Sequence, residues 1–281
     1  MSDTQIHQVS DKELQQQTEQ EKERTITELE KRLVQEAVNA IQETKDAIAA
    51  IDENDLDKAI KAIERATGQL DIILAREPEL SLVPIDYTIA IINVAPDDKA
   101  AIKDIRKEIK SAVNSGDLPA ARRLFNSLAS EIRVTVSNLP LATYPNALKK
   151  AAKLIDEGNT AEAKGVLQIA LSTLVLLEEY QPLPILNARN LIQSACSESD
   201  KDKAMQMLAN ARTRLKLAQE LGYAEDDQEY EQLNTEIKNL EQQLKADEDT
   251  KNAFEKLKTR IAAFFKRISN FKRISKKEVK S

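Results

Sequence analysis

Apolar residues recur along this chain in stripes of helical spacing. Reading the positions 3, 4, 7 and 11 residues after an alanine gives four matching sets. They are Ala59, Ala62, Ile63, Ala66 and Leu70; Ala121, Leu124, Phe125, Leu128 and Ile132; Ala163, Val166, Leu167, Ala170 and Leu174; and Ala204, Met207, Leu208, Ala211 and Leu215. Each set places one apolar stripe on a helix. Upstream of each anchor stand a second quartet, Ala47, Ile109, Ala151 and Ile192, and a third, Ile51, Val113, Ile155 and Cys196. Every stripe is therefore preceded by another amphipathic helix. The polar turns between the two carry Asp55, Asp117, Thr160 and Asp200 where a side chain can cap the second helix. Anchors at 59, 121, 163 and 204 lie 62, 42 and 41 residues apart, which predicts four helical hairpins with a period near that of helical-repeat arrays.

Punctuation supports the same division. Pro140 and Pro184 are expected to end hairpins two and three, and Gly222 to close hairpin four as a left-handed cap. The long first gap leaves room for a short helix near Ile85–Asn93. Helices are expected from about Gln20 to Ile51, and at Asp226–Lys245 and Thr250–Ile274. Val166 to Leu177, VLQIALSTLVLL, carries no charge in a chain that is 31% charged. It falls short of the roughly 20 apolar residues of a membrane span, so Thr160–Tyr180 is expected to be the central, covered helix. The resulting fold class is all-α, a stack of helical hairpins with no β-sheet. Its expected organisation is a disordered polar leader over 1–19, a helical-hairpin body over 20–247 and a basic amphipathic segment over 248–281.

Composition agrees with helices, since only five Gly and no Trp occur in 281 residues. Charge adds an asymmetry. Residues 251–281 hold 11 Lys or Arg against two acidic residues, which leaves 30 basic and 45 acidic groups in the rest. An acidic body is a poor ligand for nucleic acid. One cysteine cannot form an intramolecular disulfide, and the N-terminus lacks a secretory pattern, so a cytoplasmic protein is expected.

Little in the chain points to catalysis. His7 is the only histidine and lies in the leader; Cys196 occupies a slot that is apolar in the other hairpins and reads as a small buried residue. The acidic turn Asp52–Asp57 lacks the glycine and closing glutamate of a calcium loop. No catalytic, cofactor-binding or metal-binding residue is predicted, and no enzyme. Two candidate surfaces remain. Phe254, Leu257, Ile261, Phe264, Phe265 and Ile268, with Phe271 at the edge, share one helix face. Lys256, Lys258, Arg260, Lys266, Arg267, Lys272 and Arg273 flank them. Such a helix docks on the acidic body, lies on an anionic membrane or meets another partner. Tyr87 and Tyr144, each near a proline, are candidates to line a small-molecule groove between hairpins.

The segment from about Ile41 to Ala188 resembles the YfdX family of bacterial proteins. The resemblance rests on Pro84–Ala90, the Gly116-Asp117 turn, Asn138–Leu141, the stretch 147–171 and Leu183-Pro184, in that order. It implies an all-helical, oligomeric protein with no assigned enzymatic chemistry, whose enteric relatives are linked to acid or stress response and virulence. Those relatives resemble exported proteins, whereas this chain shows no export signal, and its fourth hairpin and basic tail lie outside the shared region. The expected function is a non-enzymatic, self-associating and stress-associated interaction protein. A peripheral membrane protein using helix 251–274 and a small-molecule binder are the alternatives.

Overall fold

The computed structural model describes residues 3–269, with side chains from residue 12. Helix–turn–helix pairs form around each of the four stripes: α2 (Gln35–Asp52) with α3 (Leu56–Arg76), α4 (Lys99–Asn114) with α5 (Leu118–Asn126), α6 (Tyr144–Asp156) with α7 (Thr160–Ser172), and α8 (Leu183–Ser197) with α9 (Lys201–Glu220). The turns work as their side chains dictate. Asp55, Asp117 and Asp200 accept hydrogen bonds from the backbone N–H of Lys58 (3.1 Å), Ala120 (3.0 Å) and Lys203 (3.2 Å). Thr160 does not cap; Asn159 holds that position and makes no side-chain cap bond. Gly116, Gly158 and Gly222 have φ of 77°, 80° and 92°, the left-handed turn that glycine adopts without strain. Helix α10 (Glu229–Lys245) and α11 (Lys251–Ile268) follow.

A sheet joins these helices, which overturns the expectation of an all-α fold without one. Strands β1 (Leu82–Asn93), β2 (Ser130–Pro140) and β3 (Val175–Pro182) form a three-stranded antiparallel sheet in the order β1-β2-β3. The short helix expected near Ile85–Asn93 is β1, whose β-branched Val83, Ile85, Thr88, Ile89, Ile91 and Ile92 favour an extended chain. In β2 the inward Ile132, Val134 and Val136 alternate with Arg133, Thr135 and Ser137. The second stripe therefore breaks after Phe125. Ser127 hydrogen-bonds the Leu124 carbonyl at 2.7 Å and closes α5, so Leu128 and Ile132 are not on that helix. Pro140 ends a strand rather than a helix, Pro184 lies in the first turn of α8 after β3 rather than after a helix, and Pro84 sits in an edge strand, where its missing N–H costs no ladder bond.

The uncharged central segment is likewise not one buried helix. The hydroxyls of Ser172 and Thr173 donate to the carbonyls of Ile169 and Ala170, both at 2.7 Å, α7 stops there, and the chain resumes as β3. Leu167 is buried, whereas Ile169 is 64%, Leu176 63% and Leu177 45% exposed. Of the polar leader expected to be disordered, residues 3–19 belong to α1 (Asp3–Glu30), and residues 1 and 2 lie outside the described residues. The inward positions of α1, Leu14, Thr18, Glu21, Thr25 and Leu29, are spaced as a helix stripe, but three are polar and so leave no apolar period.

Among the described residues the chain falls into two units. The first comprises 3–24, 89–133 and 179–269; the second comprises 25–88 and 134–178. The second unit packs α2 and α3 on α6 and α7 around a core in which Ala37, Ala40, Ala47, Ala50, Ala59, Ala62 and Ala66 recur. Small side chains let those helix backbones approach closely. Leu70, Leu148 and Leu167 fill the remainder, each contributing on the order of 1.5–3 kcal/mol by leaving water. The first unit packs α8 and α9 with α10 and α11 around larger side chains, Tyr230, Phe254, Phe264 and Phe265 among them, while α4 meets α9 through a separate small cluster of Ile102, Ile109 and Leu128.

Candidate binding surfaces

Helix α11 presents its apolar face inward. Phe254, Leu257, Ile261, Phe264 and Phe265 are all at most 5% exposed in the first-unit core, and Ile268 packs against it half-buried. Helices α8 and α10 supply the other side. The Phe264 ring meets Tyr230 edge-on with centroids 4.9 Å apart, an arrangement aromatic pairs favour. Four of the flanking cations are paired as well. Arg260 bonds Glu229, Gln232 and Glu236; Arg267 bonds Asp227 and lies 5.3 Å over Phe264. Arg267 holds the Asp227 carboxyl below its usual range. Lys258 pairs with Glu255 at 2.9 Å, Lys256 lies 3.9 Å from Glu236, and Lys266 is exposed. Phe271, Lys272 and Arg273 lie outside the described residues, as does the His7 side chain.

The two tyrosines singled out from the sequence do not build a groove together. Tyr144 is 1% exposed in the second-unit core and donates to the Thr44 hydroxyl at 3.0 Å; burial pushes its phenol up to about 12. Tyr87 is half-buried on β1. Cys196 is half-buried rather than fully covered, with its sulfur 4.0 Å from the Lys258 ammonium. Among the described residues no cluster of three or more His, Cys, Asp or Glu could hold a metal, and no helix is long and apolar enough to cross a membrane.

A larger opening lies elsewhere. In the first unit an open groove of about 1020 Å³ runs beside α4, bounded by α5, the start of β2 and the α9–α10 connection. Lys103, Arg106, Lys107 and Lys110 line it from one helix, since spacings of three and four residues share a face. Its apolar surface includes Ile109, Phe125, Leu128 and Leu221, with Phe125 57% exposed. The base is a closed polar network. Glu131 accepts from Arg133 at 2.7 Å and from the Tyr223 hydroxyl at 2.8 Å, and the Ser130 N–H donates to that hydroxyl at 2.9 Å. Burial lifts the Tyr223 phenol well above its ordinary value, with the Ser130 bond opposing. Tyr180 meets Tyr223 with ring centroids 6.0 Å apart. Arg106 pairs with Glu225 at 2.6 Å, while Lys99 pairs with Glu220 at 2.5 Å and holds that carboxyl below its usual range. The α4 row is readable in the sequence as a basic helix face; nothing there brings Arg133 and Tyr223 to it.

The segment that contains most of these elements has known relatives. The profile of the YfdX protein family matches residues 40–180, half of the chain. The chain belongs to the YfdX family. The YfdX segment runs from within α2 through most of β3, and so supplies the α4, α5 and β2 sides of the groove, while Glu220 to Glu225 come from beyond it. Among solved structures, YfdX of Salmonella Typhi is similar at 13% identity and a TM-score of 0.37, covering 54% of this chain and 93% of that one. A search of curated proteins gives no match.

Proposed function

We propose that this protein is a non-enzymatic interaction protein that works as a self-associated assembly of copies of itself. The observation behind the reading is the exposed apolar end of the uncharged segment. Ile169 on α7 and Leu176 and Leu177 on β3 face water, and β3 is an end strand of the sheet. Large apolar side chains left in water at the end of a sheet favour a partner surface that covers them. A second copy supplies that cover with the same segment under twofold symmetry, the commonest closure of homo-oligomers. The one acidic side chain at the groove base, Glu131, has both oxygens engaged by Arg133 and Tyr223, which suits a structural rather than a proton-transfer role. In this reading the protein acts in the cytoplasm, where a lone thiol stays reduced, and serves the stress-associated role that the family resemblance implies.

Light scattering after size exclusion tests it. The full chain is expected at a multiple of 31.5 kDa, and Leu176→Glu with Leu177→Glu at the monomer mass with unchanged circular dichroism. A wild-type monomer, or an assembly indifferent to the double substitution, overturns the proposal.

A further inference from the structure

We infer that the groove beside α4 is a binding site for a single anionic amphiphile, a molecule with one phosphate or carboxylate head on an apolar body. This rests on the first unit alone and is independent of self-association. The volume, about 1020 Å³, is the upper end of the range that holds one small organic ligand. The charge of the lining selects an anion. The groove's three carboxylates are each engaged by a cation, Glu131 by Arg133, Glu220 by Lys99 and Glu225 by Arg106. Lys103 adds a weaker, longer-range pull on Glu220. Lys103 and Lys110 nevertheless form no ion pair with any described residue, and Lys107 pairs only with Asp104, which is not part of the lining. All three lysines are exposed and stand on one face of α4. Residues 99–126 carry seven basic and three acidic side chains, a local excess of positive charge in a chain of net charge −6.

The apolar part of the lining defines the other half of the ligand. Ile109 and Leu128 belong to a small hydrophobic cluster with Ile102, and Leu221 and Leu124 pack against it. Phe125 stands beside them more than half exposed, a large apolar side chain with no cover of its own. A bare anion would leave that surface wet, and a neutral apolar molecule would leave the lysine row unanswered. A molecule with both parts satisfies the two at once. An extended polyanion such as nucleic acid meets Glu220 and Glu225 at the rim and the acidic excess of the chain, which disfavour it.

Calorimetric titration of the full chain with decyl phosphate, decanoate, decyl maltoside and inorganic phosphate, each below its micellar concentration, tests the inference. Decyl phosphate and decanoate are expected to bind once per chain, and the neutral maltoside about tenfold more weakly, with inorganic phosphate showing no saturation. Replacing Lys103→Gln with Lys110→Gln is expected to weaken decyl phosphate about tenfold while leaving the melting temperature unchanged, since both side chains are exposed. Phe125→Ser is expected to weaken both anionic ligands. Equal affinity for the neutral and anionic chains overturns the inference, as does indifference to either variant. Inorganic phosphate binding as tightly as decyl phosphate would reduce the site to a bare anion pocket and also overturns it. Sedimentation with phosphatidylglycerol vesicles in the absence of any monomeric binding assigns the lysines to a membrane surface instead, and rejects the site.

Discussion

The two units of this molecule use the same element, a helical hairpin, and pack it in different ways. In the second unit alanines line the contacts of α2, α3, α6 and α7, and the one core tyrosine spends its hydroxyl on Thr44. In the first unit phenylalanines, tyrosines and leucines separate the helices, and arginines reach across them to carboxylates, as Arg189 does to Glu21 at 2.9 Å. The groove of about 1020 Å³ and a second of about 740 Å³ are both first-unit features. Close packing of small residues lets helix backbones approach one another. Larger side chains joined by polar pairs leave concavities with charged rims, which is where ligands are recognised.

The contrast is sharpest at a single buried position. Leu167→Lys places an unpaired ammonium at a site with no exposure in the alanine-lined core, and is expected to cost at least about 4 kcal/mol and leave little folded protein. Ile72→Lys, on the same unit but half exposed, is expected to change stability by no more than about 0.5 kcal/mol. Thermal melts of the two side by side decide it; similar melting would mean the second-unit core is not closed. The first unit is probed through its ion pairs. Arg189 is 19% and Glu21 6% exposed by side chain, and Arg189 lies 4.6 Å over Phe265. Arg189→Ala is expected to cost roughly 3 kcal/mol in urea unfolding, because the buried pair and its stacking are lost together. Glu43→Gln breaks the pair with the exposed Arg65 in the second unit and is expected to cost clearly less than Arg189→Ala, because water screens that pair. Equal costs would erase the proposed difference between the units.

The mildest probe is alkaline pH. Folded Tyr144 keeps its proton up to about 12, while the unfolded phenol releases it near 10. The folded state is therefore favoured fully below pH 10 and loses that advantage as pH climbs toward 12, by up to about 2–3 kcal/mol. Tyr223 and Tyr230 in the first unit are raised too, with burial the leading cause in both, so the wild-type decline has contributions from both units. Tyr144→Phe is expected to cost about 1 kcal/mol at neutral pH and to make the decline shallower. Urea midpoints at pH 9 and pH 11.5 that shift equally in both proteins would show water reaching Tyr144.

How much of this is legible in the sequence differs by element. The helix pairs are, because Ala59, Ala163 and Ala204 begin stripes that are buried at three- and four-residue spacing, and because aspartate at a turn caps a helix wherever it occurs. The inward face of α11 is legible for the same reason. The strands stay hidden although β2 alternates plainly, because Leu128 and Ile132 fall where a continued α5 would place them. The uncharged run misleads in another way: lack of charge suggests burial, yet the hydroxyls of Ser172 and Thr173 end the helix and leave the leucines beyond it exposed. The groove depends on Tyr223 meeting Glu131 across 92 residues, a contact that no local pattern encodes.

Each strand of the sheet hands the backbone from one unit to the other, so neither unit is a continuous piece of polypeptide. During synthesis the second unit cannot close until β3 has left the ribosome, and the first waits for α11. Half-made chains thus hold two unfinished cores at once, and no single cut yields either unit alone. A gene fragment designed from the family boundaries at 40 and 180 would omit both α8 and α11, and with them most of the aromatic core of the first unit.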